Sequence, residues 1–290
     1  MALVFDTIVP VFSIVAVGYA LAGRRFRLHL PTLADLAILV TSPALMFSVL
    51  SGTSLQPRQW GALAGGTLWI AAGTAVLALV YLRVRPGPRR GLLLPAVFWN
   101  AGNMGLACAR LAFGPEGLEA AAIVFVTMAV LSSTFGIWIA KGENGLREAL
   151  RLPLVYASVG GIGLALTETT LPRIVMEPIE MLGAMAIPLM LLNLGMQLRL
   201  LQVTDLAHAL VAVAIRMGGG IAFASLFVLL FGIAGVDRQV LLLSSVMPAA
   251  VINAVLAQRY GTDPSLVASA IVLGTLASLI SIPVVLLLVT

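Results

Sequence analysis

The sequence predicts an all-α integral membrane protein: ten transmembrane helices arranged as two inverted five-helix repeats, with crossed broken helices at spans four and nine. Three observations predict it. Apolar runs of about 20 residues, enough to cross a ~30 Å hydrocarbon core, recur along the whole chain. Segments of the first half return in the second half at a near-constant offset. The fourth and ninth runs carry glycine, proline and asparagine at hydrocarbon depth.

Of the 290 residues, 60% are hydrophobic and 10% charged, and the mean hydropathy is +1.08. A soluble domain of this length could not hide so much apolar surface from water. Lipid offers the backbone no hydrogen-bond partners, so each span must satisfy its own N–H and C=O groups, which at these lengths means a helix.

The spans run Leu3–Ala22, Leu33–Ser51, Trp60–Leu82, Leu92–Phe113, Leu118–Ala140, Pro153–Thr167, Ile174–Gln197, Leu206–Phe231, Val240–Ala257 and Leu266–Val289. The first is not preceded by the positive charge a signal peptide needs: Met1–Phe5 has none, and Arg24, Arg25 and Arg27 follow it. It reads as a retained anchor helix. The connections are short and leave no room for a soluble domain.

Basic residues fix the orientation. The loops after spans one, three, five, seven and nine hold Arg24, Arg25, Arg27, Arg83, Arg85, Arg89, Arg90, Lys141, Arg147, Arg151, Arg199 and Arg259; the opposite loops hold Arg58, Arg173 and Arg238. Twelve against three places the first set in the cytoplasm and both termini outside, as in a multi-pass protein of the plasma (inner) membrane. The pI of 10.1 is therefore a topology signal and requires no nucleic acid. Cys108 is the one cysteine, and His29 and His208 lie near span edges without ligand spacing, so no disulfide, metal site or cofactor is expected.

The repeat is carried by four matches. Asp35 through Met46 aligns with Glu180 through Leu191, pairing Pro43 with Pro188; Gly18 pairs with Gly163, Gly114 with Gly261, and Ala122-Ile-Val with Ala270-Ile-Val. Five spans per copy is an odd number, which inverts the second copy. The first repeat is residues 1–140, a cytoplasmic linker follows at 141–151, and the second repeat is 152–290. Inverted repeats place a substrate site near the midplane, where discontinuous helices turn backbone dipoles towards it.

Span four contains Asn100-Ala-Gly-Asn-Met-Gly, with Asn100, Gly102, Asn103 and Gly105 in mid-span. Span nine contains Met247-Pro-Ala-Ala-Val-Ile-Asn, with Pro248 and Asn253. Proline removes a backbone donor, and buried amides are costly without partners. Two helices broken at these points and crossing there account for the pattern. Plain helix packing through small residues, with asparagines bonding across, is the alternative.

These two cores, the five-plus-five spans and the outside termini resemble the auxin efflux carrier family over essentially the whole chain. The resemblance is to a bacterial-length member, and the family is similar in fold to the bile acid sodium symporters. It implies a scaffold domain, a core domain carrying the crossed helices, a homodimer, and a site at Asn100, Asn103, Pro248 and Asn253. It also implies a small organic anion as substrate, with dicarboxylates the usual link for bacterial relatives. Relatives often have Gly-Leu-Pro where this chain has Gly105-Leu-Ala107, so the first break is expected to rely on Gly102 and Gly105.

Charges within the spans bear on the substrate. Arg110 in span four and Arg216 in span eight could each draw an anion by bidentate contact with a carboxylate. Alternatively, Arg110 snorkels to the membrane edge, and Arg216 makes a structural bond to a carbonyl or an asparagine. Asp35 and Glu180 start their spans and read as interfacial; the other reading makes one of them a proton acceptor for coupled transport. The coupling ion, H+ or Na+, is left open. A secondary active or potential-driven carrier working by alternating access is the leading function. A membrane sensor or interaction protein on a transporter-derived fold is the alternative, and an enzyme lacks its constellation of groups.

Overall fold

The computed structural model describes residues 2–23, 29–53, 56–85, 90–143 and 145–289. Arg24, Arg25, Arg27 and Arg89, counted in the topology above, and Asn144 of the linker lie outside the described residues. Regular structure among the described residues is helical, and the one extended pairing is an isolated antiparallel bridge between Trp99 and Ala249.

Eleven helices are used here: α1 Ala2–Ala22, α2 Leu30–Ser51, α3 Pro57–Val84, α4 Leu93–Val97, α5 Ala101–Lys141, α6 Pro153–Leu166, α7 Arg173–Leu200, α8 Leu206–Phe231, α9 Gly235–Ser245, α10 Ile252–Tyr260 and α11 Pro264–Val289. Seven of them, α1, α2, α3, α5, α7, α8 and α11, are long and apolar enough to cross a membrane. Local chemistry sets their ends. Prolines open α3, α6 and α11, where a missing N–H costs nothing. Gly232 and Gly261 end α8 and α10 in the left-handed conformation.

The 41 residues of α5 are two helical segments joined at a reversal rather than one straight helix. Gly114 has φ 69° and ψ −154°, open to glycine alone, and Pro115 follows it. Eight residues along a straight helix span about 12 Å. Yet a Cβ added to Gly117 would lie 2.5 Å from the Ala109 carbonyl oxygen, so the chain doubles back between them. This is the boundary the sequence puts between spans four and five.

The helices pack as two groups. In one, α1 lies on α7 and α2 lies on α6 and α7. Backbones touch there: a Cβ on Gly18 would overlap the Leu192 carbonyl, and one on Gly195 the Val15 carbonyl. Small residues allow such contact where lipid supplies no hydrophobic drive. In the other group α3 packs on α5 and α8, α9 on α5, and α8 on α11.

Both prolines of the repeat disturb their helices. Pro43 follows a π-helical stretch, Ala37–Thr41, and the Ser42 hydroxyl donates to the Ala37 carbonyl at 2.5 Å. Ahead of Pro188, α7 is interrupted at Met185. Further π stretches occur at Ala101–Leu106, Ser132–Gly136 and Ala214–Gly219.

Candidate functional site

The chain between α4 and α5 and the chain between α9 and α10 are non-helical and meet face to face. Asn100 N–H donates to the Pro248 carbonyl at 2.8 Å, and Ala250 N–H donates to the Phe98 carbonyl at 3.0 Å. Asn253 Nδ2 adds a third link, to the same Phe98 oxygen at 2.9 Å. The first break falls at Phe98–Asn100, two residues ahead of the Gly102 and Gly105 expected to cause it. Neither glycine has a positive φ. Both belong to the π stretch Ala101–Leu106, and Gly102 instead gives clearance, since a Cβ there would lie 2.8 Å from the Phe125 ring. Pro248 lies within the second break, as expected.

Asn100 caps the helix that follows it. Its Oδ1 accepts the Asn103 N–H at 3.0 Å. The opening turns of α5 and α10 have N–H groups without intrahelical acceptors, and the ends carry partial positive charge. Both ends face one cavity of about 230 Å³.

Among the described residues, no charged side chain lines this cavity. Its polar groups are Asn100, Asn103, Asn193, Gln197 and three serines, Ser42, Ser132 and Ser133, set among Phe98, Trp99, Phe125, Met128 and Met190. Three buried polar atoms of the lining residues have no partner: Nδ2 of Asn100 and Nε1 of Trp99, both donors, and Oδ1 of Asn193, an acceptor. Buried groups are ordinarily paired, so such atoms call for an explanation, and a bound solute is one. Three of the four π stretches contribute lining residues, in keeping with the placement of such bulges at functional sites.

The other residues singled out from the sequence are dispersed. Asn253 is fully buried between the breaks and does not line the cavity. Arg110 is exposed, four residues before the Gly114 turn, and Asp35 and Glu180 are exposed; none of the three lines the cavity. Arg216 is 1% exposed and also lies off the cavity, bonded to main-chain carbonyls. Among the described residues no group of three His, Cys, Asp or Glu side chains could hold a metal ion.

Sequence reasoning missed Asn193, Gln197 and the serines. A signal for the two amides exists: spaced i, i+4, they share one face of α7 within residues 181–198, a stretch otherwise apolar.

The sequence model of a family described as membrane transport protein matches residues 141–286, half of the chain. An uncharacterized transporter of Methanocaldococcus jannaschii is 26% identical over 296 residues, covering 96% of each chain. Another, of Methanothermobacter thermautotrophicus, is 27% identical over 299 residues with the same coverage.

Proposed function

We infer the function from one premise: the chain belongs to the membrane transport protein family. We propose that it is a secondary active or potential-driven carrier of small organic anions, with carboxylates the substrate class, working by alternating access in the plasma membrane. The observation that carries this reading is the cavity itself. Two helix N-termini and the unpartnered Asn100 Nδ2 face a space that, among the described residues, is lined by no charged side chain. Helix N-termini bind anions because their N–H groups and partial positive charge meet a carboxylate directly.

The ten-span inverted repeat is part of the proposal, and three features support it. The reciprocal bonds about Trp99 and Ala249 are those expected of a local twofold. Gly114 and Gly261, matched by the repeat, have φ of 69° and 68°. The α1–α7 and α2–α6 pairings exchange when each span is replaced by its mate. The cavity is lined by the early part of α2, the start of α6 and the far part of α7. Those helix ends adjoin the loops holding Lys141, Arg147, Arg151 and Arg199, which the sequence assigns to the cytoplasm. On the proposed reading this arrangement is that of an inward-facing carrier with both termini outside, and the homodimer is carried over from the family resemblance alone.

The test is a thermal-shift screen of the purified protein against mono- and dicarboxylates, indole acids and amino acids, with and without sodium, followed by counterflow in proteoliposomes. A ligand at 100 times its Kd raises apparent stability by about 2.7 kcal/mol. Stabilisation by cations or neutral solutes, with none from any carboxylate, would refute the anion reading.

A further inference from the structure

Arg216 lies at the crossover but does not line the cavity. Its Nη1 donates to the carbonyls of Ala96 at 3.4 Å and Val97 at 3.3 Å, the last residues of α4. Its Nη2 donates to the Ser245 carbonyl at 3.1 Å, the last residue of α9. The guanidinium lies 4.5 Å from the Trp99 ring centroid. Gly220, one turn on, leaves the room: a Cβ there would overlap the Ser245 carbonyl and sit 2.5 Å from Nη2.

Physical chemistry gives this placement a purpose. A helix C-terminus leaves carbonyls without donors and carries about half a negative charge. Away from water each unserved carbonyl is expensive. Two such ends converge here, so their sum is about one negative unit, which one guanidinium matches. Neighbouring carbonyls are served from elsewhere: Phe98 by Ala250 and Asn253, Leu243 by Val246, Ser244 by Met247, and Leu242 by the Ser245 hydroxyl.

We propose that Arg216 is a built-in countercharge that holds the C-terminal ends of α4 and α9 together, a positioning residue that shapes the cavity through Trp99 and Asn100 without touching its contents. Trp99 is the link, since it stacks on the guanidinium and also lines the cavity. The transport consequences rest on the carrier reading; the clamp itself does not.

The experiment compares Arg216→Gln, Arg216→Lys and Arg216→Ala with the wild type. It reads melting temperature without substrate, the shift on adding a carboxylate found in the screen, and rescue by methylguanidinium against sodium chloride of equal ionic strength. Arg216→Gln should melt lower and lose the carboxylate shift; Arg216→Lys should keep part of both. Methylguanidinium should raise the melting temperature of Arg216→Ala and leave the wild type unmoved, while sodium chloride does nothing. A wild-type melting temperature and carboxylate shift in Arg216→Gln would overturn the proposal. So would Arg216→Lys melting no higher than Arg216→Gln, because charge would then be irrelevant. If no carboxylate moves the wild type, the carrier reading fails while the substrate-free melts still judge the clamp.

Discussion

Asn100→Asp separates the two duties of one side chain. As a cap, Asn100 Oδ1 accepts the Asn103 N–H at 3.0 Å. Aspartate offers the same oxygen in the same place, and the two residues are equivalent N-caps, whereas losing the cap costs about 1 kcal/mol. As a cavity group, the unpartnered Nδ2 is replaced by a second carboxylate oxygen. A substrate carboxylate seated against that atom would then lie roughly 4 Å from a like charge. At an effective dielectric constant of about 20 the repulsion is about 4 kcal/mol, nearly a thousandfold in affinity. If half of it is screened through the cavity mouth, about thirtyfold remains.

The variant should therefore melt near the wild-type temperature yet bind the anion at least thirtyfold more weakly. Thermal-shift titration gives the affinity and counterflow the activity. Acidification should restore part of the binding, because a protonated carboxyl regains a donor and loses its charge. Asn100→Ala is the reciprocal control, losing the cap without gaining the charge. Wild-type anion affinity in a well-folded Asn100→Asp protein would refute the placement of the substrate at these helix ends.

Three further outcomes follow from the geometry. Asn193→Leu removes a buried acceptor without a partner, so it should leave thermal stability unchanged or raised while abolishing the ligand-induced shift and counterflow; lost stability with retained transport would reverse its role. Gly195→Ala drives a methyl group into the Val15 carbonyl and should cost about 1–3 kcal/mol or more, whereas Gly163→Ala meets nothing within 4 Å and should not destabilise; denaturation of both in detergent checks the contrast. Burial holds the Asp237 carboxyl, three residues ahead of span nine, above its ordinary 3.8, against a smaller opposing effect of the Gln59 hydrogen bond. A carboxyl raised on folding is stabilising below its unfolded pKa, and that contribution is lost as pH climbs through the folded value. Asp237→Asn should therefore flatten the stability profile above pH 3.8 and leave a more stable protein at neutral pH than the wild type, as melting temperatures across that range would show.

The fold was legible where sequence pattern and lipid physics agree. Apolar length marked the seven long helices, and the pairing of Pro43 with Pro188 located two real irregularities, the π stretch before one and the interruption before the other. The Gly114–Pro115 reversal was readable as a span boundary because only glycine tolerates that backbone and proline resists continuing it. The π stretches were not readable. One extra residue in a turn leaves no compositional mark, and Ala37–Thr41 is as apolar as its neighbours. The position of the first break was misread for a related reason. Glycine permits unwinding without requiring it, and here the chain unwinds at Phe98–Asn100, where pairing with Pro248 and Ala250 replaces the lost helical bonds.

The site was half legible, and the unread half is governed by polarity. Polar side chains in apolar runs pointed to Asn100, Asn103 and Asn253, but Asn193 and Gln197 belong to α7, which only tertiary packing brings against the start of α5. Arg216 was visible as a buried charge, yet its role depends on which helix ends surround it, and a sequence shows charge without direction. At the crossover the two directions part. The ends of α4 and α9 are negative and face a guanidinium that is covalently part of the chain. The starts of α5 and α10 are positive and face a cavity that, among the described residues, is lined by no charged side chain. Each side thus calls for about one compensating unit of opposite charge. The cation is supplied by the protein and stays, which on the proposed carrier reading leaves an anion as the charge to be carried. A singly charged carboxylate would balance the cavity, and a dicarboxylate would have to enter with one group protonated or turned towards the mouth.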